Sequence, residues 1–263
     1  MDTLTTLPDP LYADPQAYDI AFGWDSFDET RALLDIAGKR LGRPPLRALD
    51  IGCGTGRVLR DLARLDLEAI GLDHNADLLR FARRRLGELG LTGETVHADM
   101  RDFRLDRPAD VAFNAINGVG YLTGDGDLLR HLQAVADNLT AGGVYVVELS
   151  FGPIETDFLG RGEPWAFERD NVRVMADWRL LEVDQDTGLV INEASLIVSR
   201  PGQPERRIVC RHEMRKWDQP EFYAAVADSP LALVDMRRRD LKPVAPETPL
   251  TYADDNVFVF LQK

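Results

Sequence analysis

The sequence predicts an α/β protein in which a Rossmann-like, doubly wound, seven-stranded and mostly parallel sheet carries an inserted antiparallel β cap. Three observations lead to this prediction. Short apolar runs alternate with helical periodicity between residues 46 and 150. A glycine-rich turn follows the first of these runs, as in doubly wound sheets that bind a ligand there. After residue 150 the pattern changes to alternating apolar and polar residues, which is typical of antiparallel strands.

Residues 1–41 are expected to form an N-terminal lid and one helix. The turn signals are Pro8, Pro10 and Pro15, and the aromatic residues that follow are Tyr18, Phe22 and Trp24. Apolar residues over 27–41 fall on one face of a helix, which Pro44-Pro45 ends. The aromatic residues are expected either to close over a bound ligand as a mobile gate or to latch onto the core.

Residues 42–150 are expected to form the α/β core. The predicted strands are 48–51, 69–72, 95–97, 111–113 and 144–148, and the predicted helices are 58–65, 77–86 and 128–139. Gly142-Gly143 is interpreted as the stop signal of the last of these helices. Ligands of such a sheet bind at the carboxyl ends of its strands, so the residues that follow each strand are the candidate site.

Residues 151–217 are expected to form the cap, and residues 218–263 a final helix and two strands that complete the core. Three alternating runs with turn residues between them predict an antiparallel meander: 172–180, 189–198 and 207–217. The cap is expected beside the carboxyl edge of the sheet. There it would cover the candidate site or form a homodimer contact.

Composition excludes several classes of partner. The formal charge is −13, from 31 Lys+Arg against 44 Asp+Glu, so the surface is expected to repel nucleic acid and anionic lipid. No apolar stretch approaches the roughly 18 residues of a membrane helix, and the N-terminus lacks a secretory pattern. Cys53 and Cys210 lie far apart, which disfavours a disulfide framework and a metal site. We therefore expect a cytoplasmic protein without a metal.

A glycine-rich loop connects the first predicted strand to its helix, and it reads Asp50-Ile51-Gly52-Cys53-Gly54-Thr55-Gly56. The glycines permit a tight turn and let the backbone approach a ligand. A dinucleotide site prefers G-x-G-x-x-G, whereas the spacing here is G-x-G-x-G. Asp50 would repel a pyrophosphate but suits a ligand with an ammonium group. The amino-acid end of S-adenosylmethionine is such a ligand.

Further acidic residues follow the next two predicted strands. Asp73 ends the second strand, where a carboxylate can accept both hydroxyls of a ribose. Asp99 follows the third strand and is expected to meet the adenine amino group, with Met100 against the ring. Each of these residues alone is compatible with a helix cap or a turn. Together with the glycine loop, one feature per βα crossing, they favour an S-adenosylmethionine site.

On these residues the chain resembles the class I S-adenosylmethionine-dependent methyltransferases, and more narrowly small-molecule members such as the N,N-dimethyltransferases of antibiotic amino sugars. The segments that carry the resemblance are Tyr18-Asp19, Leu49–Gly56, Gly71-Leu72-Asp73, Asp99–Leu105 and Val119-Gly120-Tyr121-Leu122. The resemblance in sequence covers residues 17–150. Beyond residue 150 only the predicted architecture is similar to that of the family. The resemblance implies S-adenosylmethionine as cofactor, S-adenosylhomocysteine as product, and a small-molecule acceptor. It also implies that Tyr18 and Trp24 lie in a segment that closes over the cofactor.

The resemblance further implies that the loop after the fourth strand, with Asn114, Ala115 and Asn117, lies beside the methionine portion of the cofactor. Methyl transfer from a sulfonium is an in-line displacement, so the protein mainly aligns the acceptor and excludes water. A base is needed only if the acceptor is protonated or a hydroxyl. Tyr121 is the first candidate to contact or deprotonate the acceptor, and packing at the sheet edge is the alternative.

The four histidines receive different interpretations. His212 shares the strand parity of Cys210 and Met214, so it should point to the apolar side of the meander, as a base or as a core histidine. His74 directly follows Asp73 and is expected to touch the cofactor. The two others are His97, interpreted as packing only, and His131, interpreted as solvated.

Four functions compete on this evidence. The first is transfer of a methyl group to a nitrogen or oxygen of a small molecule. The second is methylation of a protein or peptide, for which an acidic surface would suit a basic partner. An NAD-dependent oxidoreductase is disfavoured by Asp50 and by the glycine spacing. A non-catalytic ligand-binding module is the fourth, because fold alone does not establish catalysis.

Overall fold

A computed structural model describes residues 10–162 and 164–263 of the chain. The helices are α1 (Pro15–Phe22), α2 (Phe27–Leu41), α3 (Arg57–Arg64), α4 (Ala76–Glu88), α5 (Asp127–Asp137) and α6 (Gln219–Ala227). The strands are β1 (Arg47–Ile51), β2 (Glu68–Asp73), β3 (Glu94–His97), β4 (Ala109–Asn114), β5 (Leu139–Leu149), β6 (Trp165–Arg169), β7 (Val172–Val183), β8 (Leu189–Ser199), β9 (Arg206–Arg215), β10 (Ala232–Arg238) and β11 (Val257–Gln262). Residues 1–9 of the predicted N-terminal lid, with the turn signal Pro8, lie outside the described residues.

The larger sheet has seven strands in the order β10-β11-β5-β4-β1-β2-β3. All of them run parallel except β11, which is antiparallel to both of its neighbours. Apolar residues of α2, α3 and α4 pack on one face of the sheet, and those of α5 and α6 pack on the other. The predicted doubly wound architecture is therefore confirmed. Its strand order reverses between β1 and β4, where a ligand crevice is expected outside the carboxyl ends.

The cap is a separate antiparallel sheet of four strands in the order β6-β7-β8-β9. The inserted antiparallel cap is therefore confirmed, although the sequence predicted three of its strands. The missing strand is β6, which has five residues and is at least partly exposed on both faces. Because neither face of β6 is buried, its sequence carries no alternation of apolar and polar residues. A homodimer contact through the cap stays a prediction.

The N-terminal segment differs from its prediction, because Pro15–Phe22 is a helix. Asp14 caps it by accepting a hydrogen bond from Ala17 N at 3.1 Å, and Pro15 occupies its first turn. Proline suits this position because its missing N–H would have no partner there, so Pro15 marks a helix start instead of a turn. The buried side of α1, including Ile20, joins one apolar cluster with the inner face of the cap, including Val174.

Gly142 and Gly143 do not stop a helix, as the sequence interpretation had it. Helix α5 already ends at Asp137, and both glycines lie inside β5. The pairing of β5 with β4 jumps from Leu139 to Val144, so the glycines belong to an irregular stretch of the strand. Gly142 has φ +74°, which favours glycine. Within the described part of the chain, every helix is too short or too polar to span a bilayer.

Candidate cofactor and acceptor site

A cavity of about 620 Å³ lies between the carboxyl ends of the strands and the cap. Its wall contains most of the residues predicted from the sequence: Tyr18, Trp24, Asp50, Gly52, Cys53, Gly54, Asp73, His74, Met100, Asn114, Ala115, Asn117 and Tyr121. Gly56, Asp99 and His212 are not part of the wall. The volume falls in the range of roughly 300–1,000 Å³ that small-molecule sites occupy.

The glycine loop is held in shape by two carboxylates. Gly52, Gly54 and Gly56 all have positive φ, at 70°, 54° and 85°. Asp50 Oδ2 accepts a hydrogen bond from Leu59 N at 3.0 Å and so caps α3 from the end of β1. Asp73 Oδ2 accepts from Gly54 N at 2.8 Å, and Oδ1 accepts from the N–H of residue 75 at 2.8 Å. Each oxygen of Asp73 keeps a lone pair for a further donor.

Burial raises the pKa of Asp50 to about 7, and the nearby positive charge of Arg57 opposes that rise. One oxygen of Asp50 is committed to the start of α3, as described above. The sequence could indicate that Asp50 precedes the glycines, but it could not indicate the hydrogen bond from Leu59 N. Leu59 is nine positions away and meets Asp50 only in the folded turn.

Two aromatic residues of the N-terminal segment cover the glycine loop. A Cβ placed on Gly54 would lie 3.5 Å from Tyr18 Cε1, so the Tyr18 ring packs directly on this glycine. Tyr18 stacks on Phe22 with ring centroids 4.8 Å apart, and burial raises the pKa of Tyr18, which keeps its hydroxyl neutral. The Trp24 ring lies 4.8 Å from the guanidinium carbon of Arg57.

Asp99 is engaged by another side chain. Its Oδ2 lies 2.6 Å from Arg101 Nη2. The hydrogen bonding with the Arg101 side chain lowers the pKa of Asp99. Arg101 also bonds Asp127 at 2.9 Å, so it ties the segment after β3 to α5. Met100 between them does line the cavity. A contact of Asp99 with an adenine amino group stays a prediction.

The structure corrects two histidine interpretations. His131 is fully buried and not solvated, and burial lowers its pKa to about 4. Its Nδ1 lies 2.9 Å from Met100 O and its Nε2 lies 2.8 Å from Tyr145 Oη, so it fixes the Met100 backbone from below the cavity. His97 does more than pack, because its Nε2 lies 2.8 Å from the carbonyl oxygen of His74.

Tyr121 and His212 are brought together, although 91 positions separate them. Tyr121 Oη lies 3.3 Å from His212 Nδ1 and 3.0 Å from Tyr12 Oη. His212 is buried on the apolar side of the cap, as its strand parity predicted. Its Nε2 lies 3.1 Å from Cys210 Sγ, and Trp178 stacks on its ring at 5.2 Å. A hydrogen-bonded chain therefore leads from the cavity wall at Tyr121 to the buried imidazole.

The last residue of β4, Asn114, carries an unsatisfied acceptor. Asn114 Nδ2 donates to Ile51 O at 2.9 Å, which fixes the orientation of the amide. Asn114 Oδ1 is buried and has no donor among the residues that the structure describes. A buried acceptor without a donor is costly, so it calls for a ligand with N–H groups. The ammonium of the methionine portion of S-adenosylmethionine fits this requirement.

Gly118, directly after the loop that follows β4, packs closely against the Asn114 side chain. A Cβ placed on Gly118 would lie 2.6 Å from Asn114 Oδ1. The loop itself is anchored by Glu148, whose Oε2 accepts a hydrogen bond from Ile116 N at 2.8 Å. Ile116 and Asn117 both adopt left-handed backbone, with φ 53° and 55°. For a β-branched residue such as Ile116 this conformation is unusual and indicates a fixed, functionally placed loop.

The sequence analysis missed several cavity residues, and they are Arg57, Trp165, Trp178, Lys216 and Arg239. Arg57 was detectable, because it directly follows the glycine loop at the first position of α3. Trp165 and Trp178 lie in strands of the cap, Lys216 directly follows its last strand, and Arg239 directly follows β10 of the larger sheet. These positions are distant in sequence, and only the folded chain brings them to the site. Lys216 Nζ donates to Ser150 Oγ at 2.7 Å, and burial lowers its pKa to about 8.

Comparisons with known proteins agree with this geometry. Residues 48–143 match the family model described as a methyltransferase domain. A dTDP-3-amino-3,4,6-trideoxy-alpha-D-glucopyranose N,N-dimethyltransferase of Streptomyces venezuelae is 31% identical over 211 residues, which are 79% of this chain and 85% of that protein. A dTDP-3-amino-3,6-dideoxy-alpha-D-glucopyranose N,N-dimethyltransferase of Streptomyces fradiae is 35% identical over 135 residues, 51% of each chain. The crystal structure of Streptomyces venezuelae DesVI superposes with a TM-score of 0.76 at 26% identity, covering 93% of this chain and 96% of that one.

Proposed function

This chain belongs to the class I S-adenosylmethionine-dependent methyltransferases, and from that premise we propose that it methylates the amino nitrogen of a nucleotide-linked amino sugar. The methyl donor and a small-molecule acceptor follow from the family. The choice of nitrogen, of a sugar and of an attached nucleotide is the proposal. Family membership also sets aside the alternatives of an NAD-dependent oxidoreductase and of a non-catalytic module.

One observation carries the proposal: the cavity that starts at the glycine loop continues beneath the cap to Tyr121. Donor and acceptor can therefore meet in one compartment, which is what an in-line methyl transfer requires. The cap side of this compartment is aromatic, with Trp165, Phe167 and Trp178 in its wall. Flat aromatic surfaces suit the apolar faces of a deoxysugar and the ring of a nucleobase.

The positive charge on the cavity wall supports a nucleotide. Lys216 and Arg239 both line the cavity. Within the described part of the chain, neither side chain has a carboxylate partner within 4.0 Å. Cationic groups without carboxylate partners at a cavity wall suit the phosphates of a sugar nucleotide. The two relatives from Streptomyces, as their names state, act on dTDP-linked amino sugars.

In this proposal the chain's own residues have separate tasks. Asp73 accepts the ribose hydroxyls of the cofactor while it holds the loop at Gly54. Bound S-adenosylmethionine supplies the activated methyl group. Tyr121 contacts the acceptor amine and passes its proton toward His212, so that the nitrogen lone pair is available. The N-terminal aromatic residues and the cap exclude water.

The test is a methyl-transfer assay with isotopically labelled S-adenosylmethionine, read by mass spectrometry. The acceptors are a dTDP-linked amino sugar, the same dTDP-sugar with a hydroxyl in place of the amine, and a lysine-rich peptide. We expect label on the amino sugar alone, as one or two methyl groups. Equal labelling of the hydroxyl sugar would contradict nitrogen selectivity, and labelling of the peptide alone would contradict the acceptor class.

A further inference from the structure

Two segments with unusual backbone meet at the buried side chain of Glu148. One is the loop after β4, where Ile116 and Asn117 have left-handed backbone. The other lies before β11, where Asp255 has φ 66° and ψ −176°, a combination that is essentially confined to glycine. Such backbone persists only where the surrounding structure over-determines it, and it clusters at functional sites. The contacts that hold these two segments together therefore bear on function.

Asn256 joins the two segments through Glu148 and Asn117. Glu148 is only 6% exposed, and its Oε1 accepts a hydrogen bond from Asn256 Nδ2 at 2.8 Å, while its Oε2 holds Ile116 N. Asn256 Oδ1 accepts a hydrogen bond from Asn117 Nδ2 at 3.0 Å. Asn117 Oδ1 in turn accepts one from Ser150 N at 2.8 Å. The orientation of both amides is therefore determined, because an N–H donates and an oxygen accepts.

Asn117 is also the residue from which the segment with Tyr121 starts. It directly precedes the short 3-10 helix Gly118–Tyr121, and its carbonyl oxygen accepts a hydrogen bond from Gly120 N at 2.8 Å. Tyr121 lies at the end of this helix, in the cavity wall. Asn256 is not part of that wall. Its influence on the cavity therefore passes through the residues that it holds.

We propose that Asn256 is a positioning residue for methyl transfer, which fixes the Tyr121 hydroxyl relative to the acceptor through Glu148 and Asn117. A misplacement of about 1 Å can cost about 100-fold in rate, even when the substituted residue is far from the chemistry. The inference rests on the proposed function for the contact between Tyr121 and the acceptor amine. The position of Tyr121 itself can be measured without any acceptor.

The test exchanges the carboxylate and the amide of the Glu148–Asn256 pair. In Glu148→Gln an N–H group replaces the oxygen that accepts from Asn256, and in Asn256→Asp two carboxylates face each other. In the double variant the new glutamine can donate to the new aspartate, which keeps an oxygen for Asn117, and the glutamine oxygen remains for Ile116 N. Glu148→Gln adds no charge, so it tests the same bond if Asn256→Asp does not fold.

The first readout is the NMR signal of Tyr121 in the protein without ligands. Labelling with ¹³C at Cζ marks each of the six tyrosines, and Tyr121→Phe identifies the signal of Tyr121. The signal reports the hydrogen bonding of the hydroxyl, which lies 3.3 Å from His212 Nδ1. We expect it to move in each single variant and to return in the double variant. A signal that stays at its wild-type position in both single variants would overturn the proposal, as would one that stays displaced in the double variant.

The second readout is steady-state kinetics with the dTDP-linked amino sugar and saturating S-adenosylmethionine. We expect kcat to fall by about 10- to 100-fold in each single variant and to recover in the double variant. The affinity for S-adenosylhomocysteine, measured by calorimetry, should stay close to the wild-type value, because Asp73 and the glycine loop are unchanged.

The matched control is Asn138→Asp. Asn138 is likewise buried, and its amide makes three hydrogen bonds, with Leu105 N, Phe103 O and Ala134 O, but it is not part of the cavity wall. This variant should lose stability while its kcat and its Tyr121 signal stay those of the wild type.

If both single variants had the kcat of the wild type, Asn256 would contribute to stability alone and the proposal would be wrong. If the wild-type protein did not methylate the amino sugar, the proposed function would fail instead. The Tyr121 signal would still decide whether Asn256 positions this residue, so the two failures are distinguishable.

Discussion

The carboxylate of Asp73 accepts a hydrogen bond from the backbone N–H of Gly54 at 2.8 Å. Through this bond the end of β2 fixes the loop that follows β1, so two neighbouring strand ends act as one unit. Asp73 also lines the cavity. A single side chain therefore shapes the glycine loop and faces the proposed ribose position.

Asp73→Asn should weaken S-adenosylhomocysteine binding by about 1.5–3 kcal/mol. The asparagine amide lacks the negative charge and one of the two acceptor oxygens. The hydrogen bond from Gly54 N and the proposed contact with the ribose hydroxyls should therefore both weaken. Calorimetry on the folded variant measures the loss. Asp77→Asn is the matched control, because this carboxylate lies on the outer side of α4 with 60% of its side chain exposed. Unchanged affinity in Asp73→Asn would contradict the assignment.

Gly118→Ala should weaken cofactor binding without unfolding the protein. The added methyl group would lie 2.6 Å from Asn114 Oδ1, so the Asn114 amide must move and its acceptor is displaced. We expect a loss of about 1–3 kcal/mol for S-adenosylhomocysteine and a much smaller loss for 5′-methylthioadenosine. Gly87→Ala is the control, because a Cβ there meets nothing within 4 Å. A variant at Gly118 that binds both ligands like the wild type would show that the Asn114 oxygen has no role.

Tyr121→Phe should lower kcat while leaving the affinity for S-adenosylhomocysteine unchanged. The substitution removes the hydroxyl that joins the cavity to His212, and a positioned acid–base group typically contributes about 100-fold or more. Steady-state kinetics with the amino-sugar acceptor measures the change. The control is Tyr223→Phe, whose hydroxyl bonds Pro246 O at 3.1 Å, away from the cavity. If the Tyr121→Phe variant had the kcat of the wild type, the Tyr121 hydroxyl would have no role in the reaction and the ring would only pack.

Lys216 should make stability depend on pH in the alkaline range. Burial lowers the pKa of Lys216 from 10.5 to about 8 in the folded protein. Between these values the unfolded chain binds more protons than the folded one, so stability rises with pH across the window, and the full penalty of the buried charge applies below pH 8. In Lys216→Met this rise should disappear.

Denaturant unfolding at several pH values between about 7 and 10.5 checks this prediction. The quantity to compare is the slope of the free energy of unfolding against pH, which a lost contact alone would not change. The difference in free energy of unfolding between Lys216→Met and the wild type should shrink as the pH rises. Lys39→Met, at an exposed position of α2, should show a constant difference. A constant difference for Lys216→Met as well would mean that Lys216 is not buried as a cation.

The core of the fold and the cavity residues at the glycine loop were predictable, because both depend on local patterns. Strand–helix alternation predicted the doubly wound sheet, and the glycine spacing with Asp50 and Asp73 predicted residues that line the cavity. Strand parity placed His212 on the inner face of the cap. The expectation for residues 15–22 was wrong because proline is equally a turn signal and a helix-start residue, and only the Asp14 cap distinguishes the two.

The contacts between the cap and the core were not predictable in the same way. Tyr121 meets His212 across 91 positions, and this contact depends on how the cap docks on the core. The solvated interpretation of His131 failed because α5 turns that residue toward Tyr145, a contact without a local signal. Helix α1 buries Ile20 against the cap, so removal of residues 1–25 would expose the inner face of the cap. This packing favours a fixed latch over a mobile gate.

The most direct test of the account is a crystal structure of the protein with S-adenosylhomocysteine and a dTDP-linked amino sugar. We predict the ribose on Asp73 and the sugar nitrogen facing the sulfur beside the Tyr121 hydroxyl. The sugar should lie between the glycine loop and the aromatic side of the cap. A complex in which the amino nitrogen points away from the sulfur, or in which the sugar binds outside this cavity, would contradict the account.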